Sequence, residues 1–132
     1  MELTHDDEEL IRGAKSTADA LHLDGIHEVA AALRTASGAV FTGIHIEASV
    51  GYADVCGEVA ALCNMVSAGS RDLHSIVAVS GNGRGAYELL APCGRCRELI
   101  SDFSSEAWVI VGTLERPYKV RIRELMPLKL PR

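Results

Sequence analysis

Two short phrases, Cys56-Gly57-Glu58 and Pro92-Cys93-Gly94-Arg95-Cys96, constrain this chain more than any other feature. Each opens a stretch that reads as a helix. Residues 56–68 are apolar and Ala-rich and run up to Gly69, a natural C-terminal stop. Residues 93–103 follow directly on Pro92. Helix N-termini carry partial positive charge and free N–H groups, both of which favour thiolates. Cys93 and Cys96 are three apart, so they share one face of a first turn and can grip one ion. A fold that joins the two helix starts offers three thiolates and leaves a fourth tetrahedral position open. An open position separates a catalytic zinc site from a structural one. The remaining cysteine, Cys63, lies seven residues after Cys56, roughly 10 Å along the helix axis. It cannot reach the same ion and is expected as a small buried apolar residue.

Glu58 supplies the chemistry. It stands two residues after a ligand, near the open position rather than on the metal. Zinc lowers the pKa of a bound water towards 7. A carboxylate beside that water can take its proton and deliver it elsewhere. Cys-x-Glu followed by Pro-Cys-x-x-Cys is the pattern of zinc deaminases, in which three cysteines can serve as ligands. A thioredoxin-like redox pair has no use for the upstream Cys-x-Glu. A structural zinc site needs a fourth ligand that Cys63 cannot supply.

The rest of the chain reads as α-β-β-α-β-α-β-β. Residues 3–23 repeat Leu10, Ile11, Ala14, Ala18 and Leu21 at helical spacing, with Thr4 or Asp6 as cap. Residues 28–35 and 40–47 read as strands around a Ser37-Gly38 turn. Residues 75–80, 107–112 and 118–123 supply three more. Helices alternating with buried strands predict an α/β layer structure with a mixed sheet. At 132 residues the expectation is a single domain over residues 1–132. The Gly81 to Gly85 stretch, GNGRG, is no phosphate loop, because no Gly-Lys-Ser/Thr follows; it reads as a flexible turn.

Charge and hydropathy narrow the partners. The longest runs without a charge, such as Val59 to Ser70, are 12 residues, against about 20 for a spanning helix. The start, MELTHDDEE, is acidic where a secretory signal is basic and then apolar. A cytoplasmic protein with no membrane partner is expected. The net charge of −5 and the few aromatic residues argue against a nucleic-acid partner, which needs basic grooves and stacking platforms. Six of the thirteen basic residues crowd the last seventeen positions. Lys119, Arg121 and Arg123 fall at period two, and read as the solvated face of a final strand.

Over most of its length the sequence resembles the cytidine deaminase family. The phrases VFTGIHIEAS, VCGEVAAL, PCGRCRELISDF and IRELMP carry the likeness, as does the nine-residue spacing from Glu47 to Cys56. PCGRCR, SIVAVSGNGRG and RIRELMP are also similar to blasticidin S deaminase, which acts on a cytosine nucleoside antibiotic. The resemblance implies a three-layer α/β fold with a mixed five-stranded sheet flanked by helices. It implies zinc on Cys56, Cys93 and Cys96, and Glu58 as the proton shuttle. It implies substrate contacts from the Gly57 backbone, the Ala91 carbonyl and Glu47. It further implies hydrolytic deamination of a cytosine nucleoside in pyrimidine salvage, and a homotetrameric assembly.

Four departures stand out against that family. His45 occupies a position that usually holds Asn, and His27 one that often holds Phe. After Pro127 come Leu128, Lys129 and Leu130 rather than an aromatic. Val59 stands where many relatives place an Arg that bonds a ligand sulfur, leaving Arg95 and Arg97 to balance the thiolate charge. The first three fall on sugar or base contacts and point to a modified cytosine nucleoside.

Overall fold

The computed structural model describes residues 1–130. Helix α1 (His5–Leu21) starts at Thr4, whose hydroxyl accepts the Asp7 N–H at 3.2 Å. Asp7 returns the bond to the Thr4 N–H at 2.9 Å, so Thr4 rather than Asp6 is the cap. Leu10, Ile11, Ala14 and Ala18 are its buried stripe, but Leu21, the last residue of the helix, is half exposed. The other elements are β1 (Val29–Thr35), β2 (Val40–Ile44), α2 (Gly57–Ser67), β3 (Leu73–Gly81), β4 (Tyr87–Leu90), α3 (Gly94–Phe103), β5 (Trp108–Gly112) and β6 (Pro117–Arg121). Short 3-10 turns cover Gly51–Ala53 and Ile122–Leu125.

The strands form one sheet in the order β2-β1-β3-β5-β6, with β4 paired to β3 off that path. β3 and β5 run parallel, and every other pair is antiparallel. The expected mixed sheet is therefore present with six strands rather than five. The extra strand, β4, is only four residues long, too short for its alternation to register, and sits behind a Gly-rich loop. That loop is the β3–β4 connection. Asn82 Oδ1 closes it by accepting the N–H groups of Arg84 and Ala86, an Asx-type turn.

Period two sorts the central strands onto two cores. Ala32, Val77, Val79 and Ile110 face α1 with Leu10, Ile11 and Ala14. Ala31, Leu33, Ile76, Ala78 and Val109 face the other way, against Ala61, Leu62 and Met65 of α2 and Cys96 and Ile100 of α3. Three layers result, with both faces of the sheet covered, which explains the continuous apolar stretch Ile76-Val77-Ala78-Val79 at the centre of β3.

The basic tail is not a solvated strand face. Lys119 is 4% exposed and its Nζ lies 2.7 Å from Asp7 Oδ2. Arg121 does lie on β6, where its guanidinium donates to the Glu106 carbonyl and stacks on Trp108. Arg123 falls in the 3-10 turn and pairs with Glu106. Lys129 bonds Glu98, Ser101 and Asp102 of α3. These tail charges are used within the chain; Arg132 lies outside the described residues.

Candidate active site

The connection after β2 builds one half of the site. Beyond Ile44 the chain leaves the regular ladder, so the expected strand over residues 40–47 is shorter by three. His45 to Glu47 is still laced on both sides. His45 N–H donates to Val29 O and Glu47 N–H to Ile26 O, while Ile46 and Val55 exchange both backbone bonds. That bridge delivers Val55, and so Cys56, to the head of α2. The other half comes from β4, which ends at Leu90 and passes through Ala91 and Pro92 to α3. Cys56 and Cys93 are the N-caps of their helices, both in extended conformation.

The two helix starts meet. Cys56 Sγ and Cys93 Sγ are 3.6 Å apart, as are Cys93 Sγ and Cys96 Sγ. All three sulfurs lie within 4.8 Å of one another. Zinc–sulfur bonds of about 2.3 Å give a tetrahedron whose edge is about 3.8 Å, so the spacing suits a zinc ion. The proton chemistry of the trio suits it too. Burial pushes the Cys56 and Cys96 thiols up, and the negative charge of Glu58 adds to this. Burial also acts on Cys93, but hydrogen bonds from the Cys96 amide and the neighbouring thiols outweigh it and hold Cys93 below the usual thiol value. Three adjacent thiols therefore resist full ionisation unless a dication balances them.

Glu58 lies in the first turn of α2 and is 6% exposed. Burial pushes its carboxyl above the usual range, and bonds from its own amide and the Cys96 thiol offset only part of this. Gly57 is held close to the sheet. A Cβ there would stand 3.1 Å from Ala31 N and Val29 O, so glycine lets α2 seat on β1 more closely than alanine would.

A cavity of about 160 Å³ sits over this cluster, lined by Cys56, Gly57, Glu58, His45, Ala91 and Cys93, with Val29, Ala78 and Leu90 completing its walls. The sequence reading missed those three apolar walls. Leu90 belongs to the unforeseen β4, and Val29 and Ala78 look like any other buried strand residues. Glu47 is not on the cavity wall; its Oε1 lies 3.1 Å from His45 Nε2. Asp54 joins His45 and Glu47 in one cluster and accepts the Ala48 N–H at 2.6 Å; no spacing in the sequence marked it. His45 Nδ1 is buried without a hydrogen-bond partner.

One expectation needs correction. Cys63 is exposed, on the face of α2 turned away from the sheet, and takes no part in the sulfur cluster. The two arginines expected to balance the thiolate charge bond backbone carbonyls near the cluster. Arg95 donates to the carbonyls of Asp54 and Tyr52, at 2.7 and 3.3 Å, and Arg97 Nε donates to Pro92 O at 2.8 Å. Each guanidinium braces the backbone close to a cysteine of the cluster.

A cluster of three cysteines at two helix starts on a mixed sheet, two of them lining a cavity together with a buried glutamate, makes a deaminase-type site. The family model for the cytidine and deoxycytidylate deaminase zinc-binding region matches residues 4–112, and the chain belongs to that family of hydrolases. It is 37% identical to a Blasticidin-S deaminase of Bacillus cereus, over 98% of this chain and 96% of that protein. It is 32% identical to a cytidine deaminase of Mycobacterium tuberculosis, over 75% of this chain and 69% of that one. Among solved structures, cytidine deaminase from Burkholderia pseudomallei superposes with a TM-score of 0.79 at 26% identity, covering 97% of this chain and all of that one.

Proposed function

We propose that the protein is a zinc-dependent enzyme that deaminates a cytosine nucleoside (cytidine, deoxycytidine or a modified form) to the uracil form with release of ammonia. The observation that carries this is the cluster of three sulfurs, all within 4.8 Å of one another, beside a cavity that the buried Glu58 lines with Cys56 and Cys93. Cys56, Cys93 and Cys96 hold the zinc, which when bound supplies the Lewis acidity that makes water nucleophilic near neutral pH. Glu58, buried on the cavity wall, would accept a proton from the attacking water and deliver it to N3 of the cytosine ring. As the water oxygen bonds to C4, the hydroxyl so formed gives its remaining proton through Glu58 to the amino group; the C4–N bond breaks, ammonia leaves and the oxygen stays on C4 as a carbonyl. The raised pKa of Glu58 suits a group that must both accept and release a proton. The Gly57 backbone and the Ala91 carbonyl hold the base and its amine. His45 and Glu47, bonded to each other at the rim, meet the sugar.

Blasticidin S is a second candidate substrate, favoured by the likeness of nearly the whole chain to a Blasticidin-S deaminase. A substrate panel read by ammonia release decides between them. A modified cytosine nucleoside is expected to give a higher kcat/KM than cytidine, and His45→Asn to shift preference back several-fold, the worth of about one hydrogen bond. Cytidine as the best substrate of a broad panel, with His45→Asn without effect, overturns this specificity reading. A homotetramer in the cytoplasm completes the proposal. Val50 and Tyr52, 51% and 85% exposed beside the Arg95 brace, and the open Cys93 need cover to exclude water. Light scattering that reports a monomer at micromolar concentration rejects that assembly. No helix among the described residues is long and apolar enough to cross a membrane.

A further inference from the structure

His27 lies outside the cavity lining but behind one of its walls. Its ring is half-buried, and Nδ1 is 2.8 Å from the His45 carbonyl. A carbonyl only accepts, so the ring donates and carries its proton on Nδ1. The bond falls where the sheet gives out. β2 ends at Ile44, and the last ladder-like bond beyond it is His45 N–H to Val29 O. At the His45 carbonyl, a ring nitrogen stands in for the backbone N–H that a continued ladder would supply. The loop that carries His27 is itself braced. Leu23 and His27 exchange both backbone bonds, and Ile26 O accepts the Glu47 N–H. The strut therefore ties the backbone between His45 and Glu47 to a folded loop, and their side chains are bonded to each other at 3.1 Å.

We propose that His27 is a positioning residue for substrate specificity. It fixes the His45–Glu47 segment through the His45 carbonyl, so that the imidazole and carboxylate meet the sugar of the nucleoside in one orientation. This rests on the proposed reading that His45 and Glu47 face the sugar. His27 itself does not touch the cytosine ring, and its role is that of a hydrogen-bond donor rather than an aromatic surface.

Two substitutions separate these roles, because Asn places an N–H close to the position of Nδ1 while Phe keeps a ring and removes the donor. With the best nucleoside of the panel, His27→Asn is expected to stay within about twofold of the parent enzyme. His27→Phe is expected to raise KM about tenfold, the effect of one lost hydrogen bond, with kcat and zinc content little changed. The reverse order, with Phe tolerated and Asn impaired, overturns the proposal, as does an equal loss of kcat in both. Long-range proton–nitrogen NMR of the unsubstituted protein gives a test that needs no variant to fold. It should show a protonated Nδ1 on His27, and the Nε2–H tautomer overturns the proposal directly. A parent enzyme inactive on every cytosine nucleoside overturns the underlying functional reading and this role with it. Normal KM in His27→Phe, with an active parent, sinks this inference alone.

Discussion

The roles proposed for Glu58 and the cysteines rest on placement as much as on type. A carboxylate 6% exposed beside three sulfurs is costly to ionise, and a fold keeps such a group where a proton must move. Glu58→Gln retains the shape and hydrogen bonds of the side chain but cannot shuttle a proton. It is expected to keep fold and zinc while losing about 10²- to 10⁴-fold in kcat, measured by ammonia release alongside metal analysis. Near-normal turnover would assign the proton transfer to another group. Cys56→Ala should lose zinc, whereas Cys63→Ala, altering an exposed thiol outside the cluster, should keep it; equal loss in both variants would reject the ligand set. The grouping of the three cysteines and Glu58 was legible because each phrase sits at a helix start, and helix starts are readable from stop signals and from a preceding proline. The side of α2 that Cys63 occupies was not. That helix is apolar nearly all round, so no stripe marks its inner face, and Val66 joins Cys63 in the open.

At the scale of elements, the position of α2 is set by its approach to β2 and β1. A Cβ on Gly43 of β2 would come 2.2 Å from Ala61 N and 2.6 Å from Ala60 C, and neither backbone atom can yield without moving the helix. Gly43→Ala is expected to destabilise the protein by about 2 to 3 kcal/mol, measured by urea unfolding. Gly51→Ala is the control, because nothing lies within 4 Å of the added methyl and its φ is not left-handed. It should stay within about 0.5 kcal/mol. Equal costs at the two sites would mean that the close approach does not govern stability. The sequence announced α1, α2, α3 and five strands, because each has a period or a stop signal of its own. It did not announce β4, which pairs with β3 through only four registered positions, Ala78↔Leu90 to Gly81↔Tyr87. Nor did it show that His45–Glu47 leaves the ladder. Apolar alternation continues through Ile44 and Ile46, and only the tertiary bonds to Ile26, Val29 and Val55 show what holds the segment.

Across the whole molecule, the first helix and the last strand are tied together by one buried ion pair. Asp7 and Lys119 are 112 residues apart, their side chains 4% and 5% exposed. Lys119 also exchanges backbone bonds with Met1 and lies with its Nζ 4.8 Å from the centre of the Trp108 ring. Local pattern made the α/β class legible, but strand order and a contact of this range depend on how the layers close, which no local pattern encodes. Burial alone would push the Asp7 carboxyl up. The hydrogen bond from Lys119, the bonds at Thr4 and the Lys119 charge outweigh it and hold Asp7 below the ordinary carboxylate range. A carboxyl whose folded pKa lies below its unfolded value of about 3.9 stabilises the fold fully above that value. The contribution is lost as pH falls through the folded pKa. Asp7→Asn leaves a buried lysine without its counter-charge and should cost about 3 to 5 kcal/mol at pH 7. In urea unfolding, the gap between parent and variant should be flat from about pH 8 to 5 and narrow below about pH 4. Replacing both partners, Asp7→Leu with Lys119→Met, should recover most of the loss, since an apolar pair has no charge to desolvate. A gap that stays constant into strong acid would show that the Asp7 carboxylate does not stabilise the join between first helix and last strand.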